Sequence, residues 1–351
     1  MPPELRILLL ADTHLGFDLP VRPRIERRRR GHDFLANYAA ALDPALAGEI
    51  DIVVHAGDVF DRPTVHSTVA YQALEPLRRV AERGVPVFVV PGNHERARLP
   101  HARFASHPNV HVFDTARTFV VETRGIRIAL TGFPYERSNV RSRFPDLLRQ
   151  SEWEREPAAH RLLCMHQCVE GATVGPSDFT FTSGEDVVRL HDVPSEFRAV
   201  LAGHIHRHQA LTTDLRGRRL DAPVLYPGAI ERTSVAEIDE PKGFMVVHVG
   251  ESGARWDFRP LPARPMVRKE VSVDGISARM LESQIRAIVA DAPSDAVLLI
   301  RIAGSVSDEH LRVVSARRMR AIAPDTMNVE VNFASLRPRT ARRSRPTAAS
   351  Q

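Results

Sequence analysis

Short segments rich in aspartate, histidine and asparagine punctuate the chain: Asp12-Thr13-His14, Gly57-Asp58-Val59-Phe60-Asp61, Gly92-Asn93-His94-Glu95, His166 and Gly203-His204-Ile205-His206. Carboxylate, imidazole and amide side chains ligate divalent metals, and this mixture suits manganese, iron or zinc better than calcium or magnesium. The chemistry such a set could perform is phosphate-ester hydrolysis. An attacked phosphodiester carries negative charge on its non-bridging, attacking and leaving oxygens. Two cations about 3.5–4 Å apart can clamp that charge and acidify a water between them. Such a centre needs one carboxylate shared by both ions. Taken singly the segments are weak signals: Gly-Asp is usually a turn, and a lone histidine such as His166 is usually a satisfied core residue. Their joint occurrence, each just after a strand, points to a metal site.

The elements that must position them follow from the apolar pattern. Leu5–Ala11 is a continuous apolar run of buried-strand length, ending at Asp12. A helix over about 25–47 leads to a second strand, Asp51–Ala56, and then to Gly57-Asp58. A helix over about 67–83 leads to Val85–Val90 and the Pro91–Glu95 segment. This alternation predicts an α/β fold with its ligands at strand C-termini. Shorter alternating strands over about 109–133, and further strands at Arg161–Met165, Arg198–Ala202, Pro223–Tyr226, Gly243–Val249 and Arg255–Pro260, predict two packed sheets with helices outside. The glycines beside the ligands permit sharp turns. Asp12/His14 and His204/His206, each two apart, are expected to project to one face of extended chain.

A proline-rich boundary at Pro260–Pro265 precedes a second pattern: strand, helix (275–290), strand (296–302), helix (307–320), strand (327–333). The stretch after Arg337 is rich in Arg, Ser, Thr and Ala without apolar periodicity, and reads as disordered.

The chain has 351 residues, 26% charged and 43% hydrophobic, as expected of a globular protein with more than one domain. No apolar run approaches the roughly 20 residues that span a bilayer, and no leader is evident, so a cytoplasmic protein is expected. Net charge is +5, and all but two of the 48 basic residues are arginine. Basic runs such as Arg27-Arg28-Arg29-Arg30 are a weak pointer to a polyanionic partner, because arginine with many alanines also follows from a GC-rich genome. Cys164 and Cys168 flank His166 and invite a zinc reading. Two small buried residues around a ligand-bearing strand end is the favoured alternative, because no second cysteine pair exists.

On these segments the chain resembles the calcineurin-like metallophosphoesterases, whose signature runs Asp-x-His, Gly-Asp-x-x-Asp, Gly-Asn-His, His and Gly-His-x-His. Within that superfamily, Gly57–Pro63, Tyr226–Ser234 and Lys242-Gly243-Phe244 resemble the DNA-repair exonuclease branch typified by the bacterial SbcD nuclease subunit. The likeness is close over about residues 5–260 and loose over the next 70. It implies a four-layer αββα sandwich over 1–262 and a small α/β cap domain over 263–336, followed by the basic tail over 337–351 that composition reads as disordered.

The resemblance also implies a ligand set. One metal would be held by Asp12, His14, Asp58 and His206, the other by Asp58, Asn93, His166 and His204, with Asp58 bridging. His94 would stabilise the transition state or protonate the leaving oxygen, and Asp61 would position substrate or His94. Glu95 would give support from behind, and His208 lies outside a ligand set that is already full.

The function implied is a two-metal DNA nuclease, exonucleolytic and acting in repair, with Mn2+ first among the ions and Fe or Zn open. The alternative is a small-molecule phosphodiesterase or nucleotide phosphohydrolase using the same site. Expected partners are DNA, an SbcC-type coiled-coil ATPase and a second copy of the chain, with no membrane. Relatives bind that ATPase through an amphipathic helical pair after the cap, and no such pair is evident here.

Overall fold

A computed structural model describes residues 4–22 and 24–334. The tail expected over 337–351 lies outside the described residues. The chain divides between Arg264 and Pro265 into two compact units.

The first unit begins with β1 (Leu5–Leu10), α1 (Arg30–Leu46), β2 (Ile52–His55), α2 (Ser67–Glu82) and β3 (Val87–Val89). Strands β4 (Val110–Val112), β5 (Arg117–Thr123) and β6 (Ile126–Gly132), helix α3 (Val140–Gln150) and β7 (His160–His166) follow. Four two-residue strands come next: β8 (Cys168–Val169), β9 (Thr173–Val174), β10 (Phe179–Thr180) and β11 (Val187–Val188). The unit closes with β12 (Ala199–Gly203), β13 (Gln209–Thr213), β14 (Arg219–Tyr226), β15 (Gly243–Gly250) and β16 (Gly253–Pro260).

Two six-stranded sheets result, ordered β16-β15-β1-β2-β3-β4 and β13-β14-β12-β7-β6-β5. They share one core, in which Ile7, Leu9, Val54 and Phe88 of the first sheet meet Leu130, Leu162 and Leu201 of the second. The opposite face of the first sheet packs on α1 and α2 through Phe34, Tyr38, Leu42, Leu74 and Leu77. Those residues recur at helical spacing, so one stripe of each helix is buried. The far face of the second sheet is covered by α3 through Phe144 and Leu148. The layers are therefore α, β, β, α, as expected.

Helix α3 has no counterpart among the sequence expectations. Pro145 stands inside it, and its apolar stripe is short (Val140, Phe144, Leu147, Leu148); both weaken the helical signal.

The second unit is a βαβαβ arrangement. Strands β17 (Met266–Ser272), β18 (Val297–Ala303) and β19 (Asn328–Phe333) form one parallel sheet with β18 central. Helix α4 (Ala278–Asp291) joins the first two strands, and Leu281 and Ile285 pack on Val271, Ile300 and Ile302. One helix was expected over 307–320. Instead α5 (Asp308–Val313) and α6 (Ala316–Ile322) are separate, because Ser315 is extended and its hydroxyl donates to the Arg312 carbonyl at 2.8 Å. Among the described residues no helix is long and apolar enough to cross a membrane.

Candidate metal centre

Register brings the ligand-bearing turns together. Strands β1, β2 and β3 are parallel, pairing Leu10 with His55 and His55 with Val89, so their C-terminal ends are level. In the second sheet β12 pairs parallel to β7 with Gly203 opposite His166. The turns after these strands meet at one edge of the sandwich. Pairing continues past the strand ends: the Asp12 amide donates to the Gly57 carbonyl at 2.9 Å, and His14 to that of Asp58 at 3.0 Å.

The expectation that Asp12/His14 and His204/His206 sit on extended chain does not hold. Asp12, His14, Asp58 and His204 all have positive φ, at 51°, 42°, 52° and 89°. Left-handed backbone is costly for residues with a Cβ and persists only where surroundings over-determine it, typically at functional sites. Here the reversal turns the side chains inward from the strand ends.

The glycines permit this crowding. A Cβ on Gly92 would lie 2.2 Å from Asp58 Oδ1, and one on Gly57 would lie 2.2 Å from His166 Nδ1.

Asp58 lies at the centre. Its Oδ1 accepts from the His94 amide at 2.9 Å, which fixes the carboxylate. Its Oδ2 lies 3.4 Å from His166 Nε2, and 3.9 Å from both His14 Nε2 and His94 Nε2. On one side His14 Nε2 faces His206 Nε2 at 3.0 Å. On the other, Asn93 Oδ1 lies 3.0 Å from His166 Nε2 and 2.8 Å from His204 Nδ1. Asp12 spans the two groups, with donor atoms close to those of His14 and His206 and also to those of Asp58 and His166. Both Asp12 oxygens accept from the His204 amide, at 3.1 and 3.2 Å.

Every one of the seven residues expected as ligands is thus drawn into one cluster. Two buried carboxylates beside each other, ringed by imidazole nitrogens turned inward, form a donor set that fits divalent cations.

Burial and mutual charge divide the cluster, leaving His14 and His204 neutral and favouring the charged form of His166 and His206. Burial holds His14 well below the ordinary histidine range and His204 at about 3, so both present lone pairs. Burial raises the Asp12 carboxyl. Burial works against ionised Asp58, but the His166 charge and hydrogen bond outweigh it and hold the carboxyl low. Burial likewise opposes charge on His166, yet Asp58 takes it up to about 9. The His166 ring is oriented from behind: Nδ1 faces the Ala56 carbonyl at 2.8 Å, and since a carbonyl only accepts, Nε2 is the inward atom.

His94 stands apart from the buried candidate ligands, with 36% of its side chain exposed. The Asp61 main-chain carbonyl accepts from its Nδ1 at 2.6 Å. The Asp61 carboxylate is turned to Arg62 Nε at 3.3 Å. The position expected to help His94 therefore reaches it through backbone, not through its acidic group.

Other contributors were understated or missed by sequence reasoning. Glu95 is buried and accepts from the Phe60 and Gly92 amides, both at 2.7 Å, clasping two ligand turns together. Burial, with Asp58 nearby, lifts its carboxyl to about 8. His55 is fully buried behind the site. Its Nδ1 accepts from Gly57 N at 3.3 Å, so Nε2 carries the proton and donates to Thr13 Oγ1 at 3.0 Å. The Thr13 hydroxyl passes the linkage on to the Val59 carbonyl at 3.0 Å. Its only sequence signal was a histidine inside an apolar strand.

The cysteines do not form a metal pair. Cys164 lies in the core between the sheets and Cys168 in the core under α3. Burial raises both thiols, that of Cys168 to about 12.

An α/β sandwich with carboxylates, imidazoles and an amide gathered where strands of both sheets end defines a metallophosphoesterase. The chain belongs to the calcineurin-like phosphoesterase family, whose model matches residues 5–208. Among similar proteins is the DNA double-strand break repair protein Mre11 of Thermoplasma acidophilum, 25% identical over 309 residues that cover 85% of this chain and 77% of that protein. The Mre11 of Methanosarcina mazei is 26% identical over 288 residues, covering 78% of this chain but only 41% of its own length. The uncharacterized metallophosphoesterase YhaO of Bacillus subtilis is 23% identical over 79% of this chain and 64% of its own.

Proposed function

We propose that this cluster is the dinuclear centre of a DNA nuclease that acts in repair and degrades DNA from its ends. Asp12, His14, Asp58 and His206 would hold one divalent cation, and Asp58, Asn93, His166 and His204 the other. One observation carries the reading: a single oxygen, Asp58 Oδ2, reaches towards His166 on one side and His14 on the other, at 3.4 and 3.9 Å. Two cations held there, with manganese suited to the donor set, would supply Lewis acidity at the phosphoryl oxygens.

The chain's own residues supply orientation and the proton. His94 keeps its Nδ1 proton on the Asp61 carbonyl, so Nε2 is the edge that meets substrate. In the imidazolium form Nε2 carries a second proton, which it gives to the leaving oxygen or shares with a non-bridging one, becoming neutral while Nδ1–H stays on the carbonyl. Its partial exposure suits a polymeric substrate that approaches from outside. DNA as the substrate is supported by relatives of the Mre11 type, which align along 85% of this chain in the Thermoplasma case. Residues 265–334 take the part of a DNA-binding cap in this reading, and an SbcC-type ATPase and a second copy of the chain are its protein partners.

The test is a cleavage screen. The purified chain is given duplex DNA labelled at one defined end, in Mn2+, Mg2+ or Zn2+, beside a small nucleotide diester. Metal-dependent shortening of the DNA that disappears in His94→Ala and Asp58→Ala is the expected result. Turnover of the small diester with every DNA end left intact would replace the nuclease reading with a small-molecule phosphodiesterase.

A further inference from the structure

The segment from Tyr226 to Phe244 contributes no ligand, yet it lies directly behind His206. The ring's Nε2 points into the site. Its Nδ1 lies 3.2 Å from Glu237 Oε1 and 3.3 Å from Thr233 Oγ1. That carboxylate oxygen is held in place, accepting from the Thr233 hydroxyl at 2.7 Å and the Ser234 hydroxyl at 3.3 Å. The second carboxylate oxygen lies 2.6 Å from the ammonium of Lys242.

Lys242 is one of only two lysines in the chain, and its side chain is completely buried. An ammonium has three protons to satisfy, and removing it from water is costly unless each finds a partner. It forms an ion pair with Glu237 and donates to the His206 main-chain carbonyl at 2.9 Å and to Glu240 Oε2 at 3.2 Å. That same carbonyl accepts from the Ala229 amide at 3.0 Å, so both of its lone pairs are used. Gly228 makes the approach possible, since a Cβ there would lie 2.7 Å from the His206 carbonyl oxygen. The Arg232 guanidinium then secures the turn bearing both acids, donating to the carbonyls of Glu237 and Glu240 at 3.0 and 3.1 Å.

We propose that Glu237 and Lys242 form a positioning pair for metal binding at His206. Glu237 accepts the hydrogen bond from Nδ1–H, which leaves Nε2 as the ligand atom, and Lys242 holds that carboxylate and the His206 backbone with one ammonium. Buried ion pairs contribute little to fold stability compared with apolar replacements. Carboxylates behind ligating histidines, by contrast, tune metal affinity strongly. The pair is therefore assigned to the ion at His206, and the inference rests on His206 being a ligand.

The test is Mn2+ binding by calorimetry and electron paramagnetic resonance on the intact chain, as wild type, Glu237→Gln, Lys242→Met and the double variant. Lys242→Met alone strands a buried carboxylate and is expected to lower the melting temperature. The double variant removes both charges of the pair, while Glu240 keeps Arg207 at 3.1 Å, so it is expected to fold, which its melting temperature checks. Expected is a loss of about 10- to 100-fold in affinity for one ion in Glu237→Gln and in the double variant, with the other ion unchanged. Equal binding of both ions in the folded double variant, or equal weakening of both, would overturn the pairing. Wild type that binds one ion overturns the dinuclear reading instead. The pairing is then refuted if Glu237→Gln leaves that ion's affinity unchanged, and wild type that binds none refutes both.

Discussion

The Nδ1 of His94 donates to the main-chain carbonyl of Asp61 at 2.6 Å, and Nε2 of the same ring lies 3.9 Å from Asp58 Oδ2. A backbone acceptor thus holds the Nδ1 proton and orients the ring of the proposed acid, leaving Nε2 as the working edge. His94→Ala should lower turnover by about 10²- to 10⁴-fold, the usual worth of a positioned acid–base group, with metal content intact. Asp61→Ala keeps its carbonyl and should cost far less. Steady-state kinetics with metal analysis on both variants checks the contrast, and an equal loss in the two would assign the carboxylate a role of its own.

Glu95 accepts from two buried amides that belong to different ligand turns. Glu95→Ala strands both donors, and each unsatisfied buried group costs about 1–3 kcal/mol. Urea unfolding should show a loss of that order per amide, and a smaller one for Glu95→Gln, which keeps one acceptor.

Gly92→Ala would drive a methyl group into Asp58, 2.2 Å from Oδ1 and 2.4 Å from the backbone nitrogen. The proposed bridging carboxylate must then move, and misplacement by about 1 Å can cost about 10²-fold in rate. Loss of bound metal together with activity is expected. Gly84→Ala, where a Cβ meets open space, should leave both unchanged apart from strain at its φ of 83°.

His111 stacks on Phe88, ring centroids 4.8 Å apart, and burial lowers its pKa from the ordinary value. Between the lowered folded value and about 6.5 the unfolded chain binds the extra proton. Its contribution is therefore present above about pH 6.5 and lost as pH falls below it. His111→Phe should flatten this dependence, so that its urea midpoint exceeds wild type by more at pH 5 than at pH 7.5. A constant difference across that range would remove His111 as the source.

The sequence by itself determined the inventory of candidate ligands and the alternation of the first strands and helices. Apolar runs of strand length ending in Asp12, Gly57 and Pro91, with helices between, are local patterns. A metal's demand for particular side-chain atoms also restricts residue type strongly enough to be read. The tertiary structure decided how those atoms converge. Left-handed backbone at Asp12, His14, Asp58 and His204 replaces the extended geometry suggested by their two-residue spacing. Local spacing cannot show that, because the reversal is imposed by contacts such as the Asp12 amide on the Gly57 carbonyl. The contribution of Asp61 through its carbonyl was equally hidden, since every residue carries one. Glu237 and Lys242 lie more than 30 positions from His206 and within no ligand motif. Only packing of the 226–244 segment behind the ring gives them a role, because a buried carboxylate and ammonium acquire meaning from the partners that folding brings to them.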